Sequence, residues 1–94
     1  MAISIQIPTA LRSYADGNAA VDVDAATAGA ALDALIAAHP NLGNHLRTAD
    51  GALRSFVNIY LNDEDIRYLG KEETAVKDGD TLTIVPSIAG GHWA

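Results

Sequence analysis

Apolar and polar residues alternate near both ends of this chain and fall at helical spacing between them. Ile3, Ile5 and Ile7 are separated by Ser4 and Gln6, the period of a half-buried strand, and Pro8 closes the run. Asp16-Gly17-Asn18 is turn chemistry, after which Ala20–Asp24 alternates again with Val21 and Val23 on one face. The two runs predict a hairpin. Thr27 is a natural N-cap, and Ala28, Ala31, Leu32, Leu35 and Ile36 form one helical stripe. A helix over 28–38, rich in the best helix former, ends before Pro40. The stretch 41–50 reads as irregular, anchored by Leu42 and Leu46.

Later in the chain, 56–61 is rich in β-branched and aromatic residues and runs into an Asn62-Asp63 turn. Ile66–Leu69 is expected as a short return strand. Lys77-Asp78-Gly79-Asp80 is a further turn, and Thr81–Val85 is the clearest late strand, stopped by Pro86. The order β-β-α-β-β-β predicts an α+β domain: a mixed sheet of four to five strands with one main helix across one face. Val21, Leu32, Leu35, Ile36, Val57, Ile59, Leu82 and Ile84 are the expected core. If the first strand pairs in parallel with the last, at the centre of the sheet, the arrangement is a β-grasp. Periodicity alone does not decide that pairing.

Composition narrows the function. Ninety-four residues, 49% of them hydrophobic, suit one small domain. Twelve acids against six bases give a net charge of −6, which argues against nucleic acid and anionic membranes as partners. No apolar run approaches a membrane span, and no signal-peptide pattern opens the chain. Zero cysteines exclude disulfides, thiolate metal sites and a cysteine nucleophile, and the cytoplasm is the simplest compartment.

Enzyme constellations are weak. His39 and His45 lack a metal-binding spacing. Asp63-Glu64-Asp65 lacks the glycine of a calcium loop and reads as an exposed turn. Ser13, Asp16 and His39 can be drawn as a triad, but nothing in the sequence places them together, and no nucleophile-elbow glycines surround Ser13. Gly79, Gly90 and Gly91 make no phosphate loop, lacking a following helix or lysine. No catalytic residue and no metal ligand is assigned.

The C-terminal segment Pro86-Ser87-Ile88-Ala89-Gly90-Gly91-His92-Trp93-Ala94 carries the chemistry. Pro86 stops the strand, and the six residues to Gly91 can extend about 20 Å. Two glycines strip the tip of side chains, so it can thread a narrow channel to a reactive centre. A carrier whose working group is its own main-chain carboxylate fits these features, with a β-grasp domain over 1–86 and a flexible tail over 87–94. A mobile end with no such role fits them too.

Asp78-Gly79-Asp80, an alternating strand, Pro86 and Ala89-Gly90-Gly91 together resemble the end of the ubiquitin-like sulfur carriers, typified by the small subunit of molybdopterin synthase and the thiamine-biosynthesis sulfur carrier. Val57-Asn58-Ile59-Tyr60 with Asn62-Asp63-Glu64-Asp65, and the opening Pro8, Thr9, Leu11 and Arg12, are most similar to the branch serving cysteine biosynthesis in actinobacteria.

The resemblance implies that the terminal glycine carboxylate is adenylated with ATP by a partner resembling ubiquitin-activating enzymes. It is then converted to a thiocarboxylate that gives sulfur to a biosynthetic enzyme. The carrier itself binds no cofactor and catalyses nothing. On this mapping Gly91 carries the sulfur and Gly90 allows access. His92, Trp93 and Ala94 depart from the family's usual ending and leave the Gly91 carboxylate in a peptide bond. A precursor trimmed by a zinc metalloprotease resembling deubiquitinases, a remnant of expression, and a domain that has lost carrier function all accommodate them. The precursor is the reading adopted.

Tyr60 and Val85, opposite in parity to Ile59 and Ile84, are expected to face outward and to dock the activating enzyme together with Pro86 and Ile88. A ubiquitin-like modifier joined to lysines through Gly91, and a β-grasp interaction module without an activated terminus, are the alternatives. The simplest oligomeric state for such a carrier is a monomer.

Overall fold

A computed structural model describes residues 2–54 and 57–86. Its sheet has five strands: β1 (Ala2–Gln6), β2 (Ala20–Asp24), β3 (Val57–Leu61), β4 (Glu64–Asp65) and β5 (Thr81–Pro86), in the order β2-β1-β5-β3-β4. β1 pairs in parallel with β5 at the centre, Ile5 opposite Leu82, and the other pairings are antiparallel. A parallel pair needs a long crossover, and here everything from residue 7 to 80 provides it. The pairing that periodicity left open is therefore that of a β-grasp.

Helix α1 (Ala28–Ala38) lies within its expected bounds. The Ala30 N–H donates to the Thr27 hydroxyl at 3.1 Å, satisfying one of the orphan donors at the helix start. Leu32 and Leu35 are fully buried, and each contributes about 1.5–3 kcal/mol by leaving water. They pack in one core with Ile3, Ile5 and Ile7 of the first strand and with Val57, Ile59, Leu82 and Ile84. Val21 and Ile36 are only half-buried against that core. The reason is position: β2 is an edge strand, and Ile36 lies toward the end of α1. Gly29 is required by close approach, because a Cβ there would lie 2.9 Å from the Glu72 Cβ.

Three segments differ from the sequence expectation. Residues Thr9–Ala15, between β1 and β2, form a 3-10 helix that buries Leu11 and Ala15. The stretch after Pro40 is a 3-10 turn, Pro40–Leu42, followed by a one-turn helix α2 (Gly43–Leu46). Leu42 and Leu46 do anchor it, both without solvent exposure. The return strand is β4, two residues long and directly after the Asn62-Asp63 turn, whereas Ile66–Tyr68 coils into a 3-10 turn. Asp65 is the cause: its carboxylate accepts the Arg67 N–H at 2.9 Å and caps the turn, ending the strand.

A side chain the sequence did not single out joins these loops. Arg47 donates through Nη2 to Glu72 at 2.6 Å and through Nη1 to the Gly51 carbonyl at 2.7 Å, with Asp33 of α1 3.1 Å away. The hydrogen bond to Glu72, reinforced by both carboxylates, holds the guanidinium above its ordinary pKa against its partial burial.

Candidate functional site: the open sheet face and the chain exit

β5 and β3 present alternate residues to α1 and to the open face. Ile84 and Ile59, opposite each other in register, point to the core, while Val85 and Tyr60 point away from it. Val85 is 39% exposed and Tyr60 half-buried. With Asn62, Asp63 and Thr83 they line a shallow depression of about 290 Å³. The expected outward pair is thus brought to one surface. Pro86 lies opposite Val57, at the last described position of β5 and at one edge of that surface. Ile88, Gly90, Gly91, His92, Trp93 and Ala94 lie outside the described residues.

The depression is held by backbone. Asn62 adopts a left-handed φ of 57°, its N–H donates to the Thr81 carbonyl at 2.7 Å, and its side-chain oxygen accepts the Thr81 N–H at 3.1 Å. Asparagine tolerates that conformation better than most residues. The β3–β4 hairpin is thereby tied to the start of β5. At the other end of β5's preceding turn, Gly79 takes φ +89° and Asp80 accepts the Lys77 N–H at 2.8 Å.

Asp63 and Glu64 are exposed as expected, but Asp65 is not part of an exposed acidic turn. It is buried and receives the Arg67 Nη2 at 2.8 Å and Nε at 3.1 Å on Oδ2. The hydrogen bonds from Arg67 hold its carboxyl below the usual carboxylate pKa. Asp65 is therefore a structural cap, and among the described residues no group of three metal-ligating side chains gathers.

Among the described residues, both histidines have partners. His45 stacks on Tyr14 with ring centroids 4.1 Å apart. The His39 Nδ1 lies 3.5 Å from an Asp16 carboxylate oxygen, so two members of the drawn triad do meet, against the sequence expectation. Asp16 is 87% exposed in its side chain, and Ser13 is exposed and hydrogen-bonds neither of them. The contact joins the 3-10 helix Thr9–Ala15 to the end of α1 and activates no nucleophile.

Sequence reasoning missed Tyr68, 83% exposed, and Leu69, 40% exposed. Reading Ile66–Leu69 as a strand assigned alternate residues inward. The 3-10 turn buries Ile66 alone and turns its neighbours out. The one available signal was the acid at 65 followed by a basic residue two positions on.

The topology, a helix over a mixed sheet with parallel central strands, defines a β-grasp, ubiquitin-like protein. The ThiS family pattern matches residues 5–91, and the chain belongs to that family. It is 41% identical over 93 residues to the sulfur carrier protein CysO of Mycobacterium tuberculosis, covering 97% of this chain and 100% of that protein. It is 43% identical over 72 residues to small archaeal modifier protein 1 of Haloferax volcanii, covering 76% of this chain and 78% of that one. Among solved structures, a chain of the Amycolatopsis orientalis BexX/CysO complex superposes with a TM-score of 0.85 at 40% identity, covering 95% of this chain and 99% of that chain. Both named relatives are designated by what they carry or modify, not by a reaction they catalyse. This chain is a non-catalytic member of the same kind.

Proposed function

We propose that the chain is the precursor of a sulfur-carrier protein whose working group is the carboxylate of Gly91. The observation that carries this reading is that the family match ends at Gly91, the second residue of the glycine pair, with His92 following it. A similarity that stops there fits a functional terminus at Gly91 with a removable His92-Trp93-Ala94 extension. The proteolytic site is the Gly91–His92 bond, and a zinc metalloprotease resembling deubiquitinases is the partner suited to it.

The chemistry follows from the poor electrophilicity of a carboxylate. An adenylyltransferase resembling ubiquitin-activating enzymes joins the freed Gly91 carboxylate to the α-phosphate of ATP and releases pyrophosphate. A sulfide then attacks the acyl carbon and AMP departs with the bonding electron pair; where the donor is a persulfide, the acyl disulfide first formed is cleaved by a second thiol, which leaves as a disulfide with the donor. A thiocarboxylate remains, anionic and nucleophilic at neutral pH, ready for an activated carbon in a sulfur-accepting biosynthetic enzyme. Sulfur for an amino acid such as cysteine is the favoured destination, in keeping with the CysO relative.

The carrier holds no cofactor of its own; ATP belongs to the partner. Gly90 contributes by having no side chain to bar the channel. The surface of Tyr60, Val85 and Pro86, continued by Ile88, is the one we assign to the activating enzyme. Its exposed valine and half-buried tyrosine offer apolar contact beside the chain exit. A partner in a complex accords with the BexX/CysO neighbour. Among the described residues no helix is long and apolar enough to cross a membrane, and we place the carrier in the cytoplasm as a monomer.

The similarity to a small archaeal modifier protein favours one second reading, conjugation of Gly91 to lysine amines. Intact mass spectrometry of untagged protein from its native cells separates the two. A species ending at Gly91, partly with one oxygen replaced by sulfur and lost in Gly91→Ala, is expected for the carrier. High-molecular-weight conjugates lost in the same variant would establish the modifier instead. A single species retaining residues 92–94 during sulfur-limited growth would sink the precursor reading.

A further inference from the structure

The strand order leaves the sheet two edges, β2 and β4, and they differ in what they offer another chain. β4 is two residues long and ends in the Asp65 cap, so little of its backbone is open to pairing. β2 is five residues long, contains neither proline nor glycine, and has every residue exposed or half-buried. The bonds of β1 show which way its backbone points. The Ser4 N–H donates to the Asp80 carbonyl at 3.1 Å and the Ala2 carbonyl accepts the Gly79 N–H at 2.9 Å, so this parity of β1 serves the β5 side. The other parity serves β2, as where the Ile7 N–H donates to the Ala19 carbonyl at 2.8 Å.

Bonded and non-bonded pairs alternate along an antiparallel ladder. Val21 and Val23, opposite Ile5 and Ile3, therefore bond to β1, while the N–H and C=O groups of Ala20 and Asp22 point out of the sheet. Among the described residues those outward groups have no main-chain partner. The side chains alternate as well. Asp22 lies on the open face beside Ser4, exposed and in no ion pair, and Val21 and Val23 lean half-buried against the core. A second copy of the chain is a poor occupant, because two β2 strands paired antiparallel in full register would set Asp22 opposite Asp22, and facing like charges repel. The edge is thus closed to itself by charge of one sign, and open to a strand of the other sign.

We propose that the β2 edge docks an extended basic segment of a partner protein, which joins the sheet as a further strand. Main-chain bonds to Ala20 and Asp22 hold it, and alternate side chains select it. Its apolar residues lie over Val21 and Val23 and complete their burial, and its Lys or Arg lies over Asp22. The net charge of −6 favours the approach of such a segment. β1 separates β2 from β5, so this partner leaves Val85 and Tyr60 uncovered.

The probe is an end-blocked peptide of alternating valine and lysine, as long as β2, added to the full chain at millimolar concentration while amide exchange is followed by NMR. In the free protein the Val21 and Val23 amides should exchange slowly and those of Ala20 and Asp22 fast. With the peptide, the Ala20 and Asp22 amides should slow several-fold, and the same peptide with glutamate in place of lysine should leave them unchanged. Ala20→Pro deletes an outward N–H at the start of the strand without altering charge, and Asp22→Asn deletes the charge and keeps the backbone. Each should weaken binding several-fold, with circular dichroism showing that the variant stays folded; the two peptides carry the test without either variant. Absence of protection by the lysine peptide would overturn the proposal, as would equal protection by the glutamate peptide. Binding indifferent to Ala20→Pro would reduce it to charge attraction without strand pairing, and so overturn it too. Protection that grows with protein concentration in the absence of peptide would assign the edge to a second copy instead. No outcome bears on whether Gly91 becomes a thiocarboxylate, which the intact mass decides separately.

Discussion

Ile84 and Val85 are neighbours on β5, yet the first is 2% exposed and the second 39%. Their backbones share one strand, so the difference is only the alternation of side chains across a pleat. On the helix side that alternation places Ile84 against Ile59 and the α1 leucines, where close packing leaves no room for adjustment. On the open side it places Val85, Thr83 and Tyr60 around a shallow depression where little is buried. One strand therefore gives one set of residues to the core and the other to the open face that we assign to recognition, so each set should be alterable without the other.

Substitutions should break this division in a definite order. Ile84→Ala removes core packing and leaves a cavity, and should lower stability by about 2–5 kcal/mol. Its melting temperature should fall by roughly 10 °C or more, measurable by calorimetry. An unchanged melting temperature would mean that the helix side is not the stabilising face.

Asp65→Asn acts at the edge of the same sheet and should destabilise less than the core truncation. Its effect depends on pH with a fixed sign. Arg67 holds the Asp65 carboxyl below its ordinary pKa, so the folded state binds the proton less readily than the unfolded state. The stabilisation is complete above the ordinary carboxylate range and is lost as pH falls through the lowered value. Thermal melts of the two proteins should differ at neutral pH and converge in acid. A gap that widens on acidification would contradict the assigned role of Arg67.

Thr27→Ala removes the hydroxyl that receives the Ala30 N–H, and should cost about 1 kcal/mol in chemical denaturation with an unchanged slope. Val85→Asp, on the open face, should change stability by no more than about 0.5 kcal/mol. Yet it should slow adenylation of the trimmed carrier by about tenfold, the scale of one lost interface anchor. A large loss of stability with unaffected adenylation would reverse the assignment of the two faces.

Much of this was legible in the chain itself. Strands with strict alternation, Ile3–Ile7 and Thr81–Val85, and a helix marked by Thr27 at one end and Pro40 at the other, carry their periodicity locally. So does the outward parity of Tyr60 and Val85. The Gly90-Gly91 pair was equally legible, because a glycine pair after a proline-stopped strand needs no fold to be seen.

What the amino-acid order determined, then, was features whose cause lies within one turn or one pleat: the main strands and helix, the Thr27 cap and the inward parity of β3 and β5. Tertiary structure decided the rest. It set β1 beside β5 across nearly the whole chain. It left Val21 half-buried on an edge, drew His39 to Asp16, and turned Asp65 from an exposed acid into a buried cap. Each of these depends on contacts between residues far apart in the chain or on a side chain competing with the strand ladder. Local pattern contains no term for either.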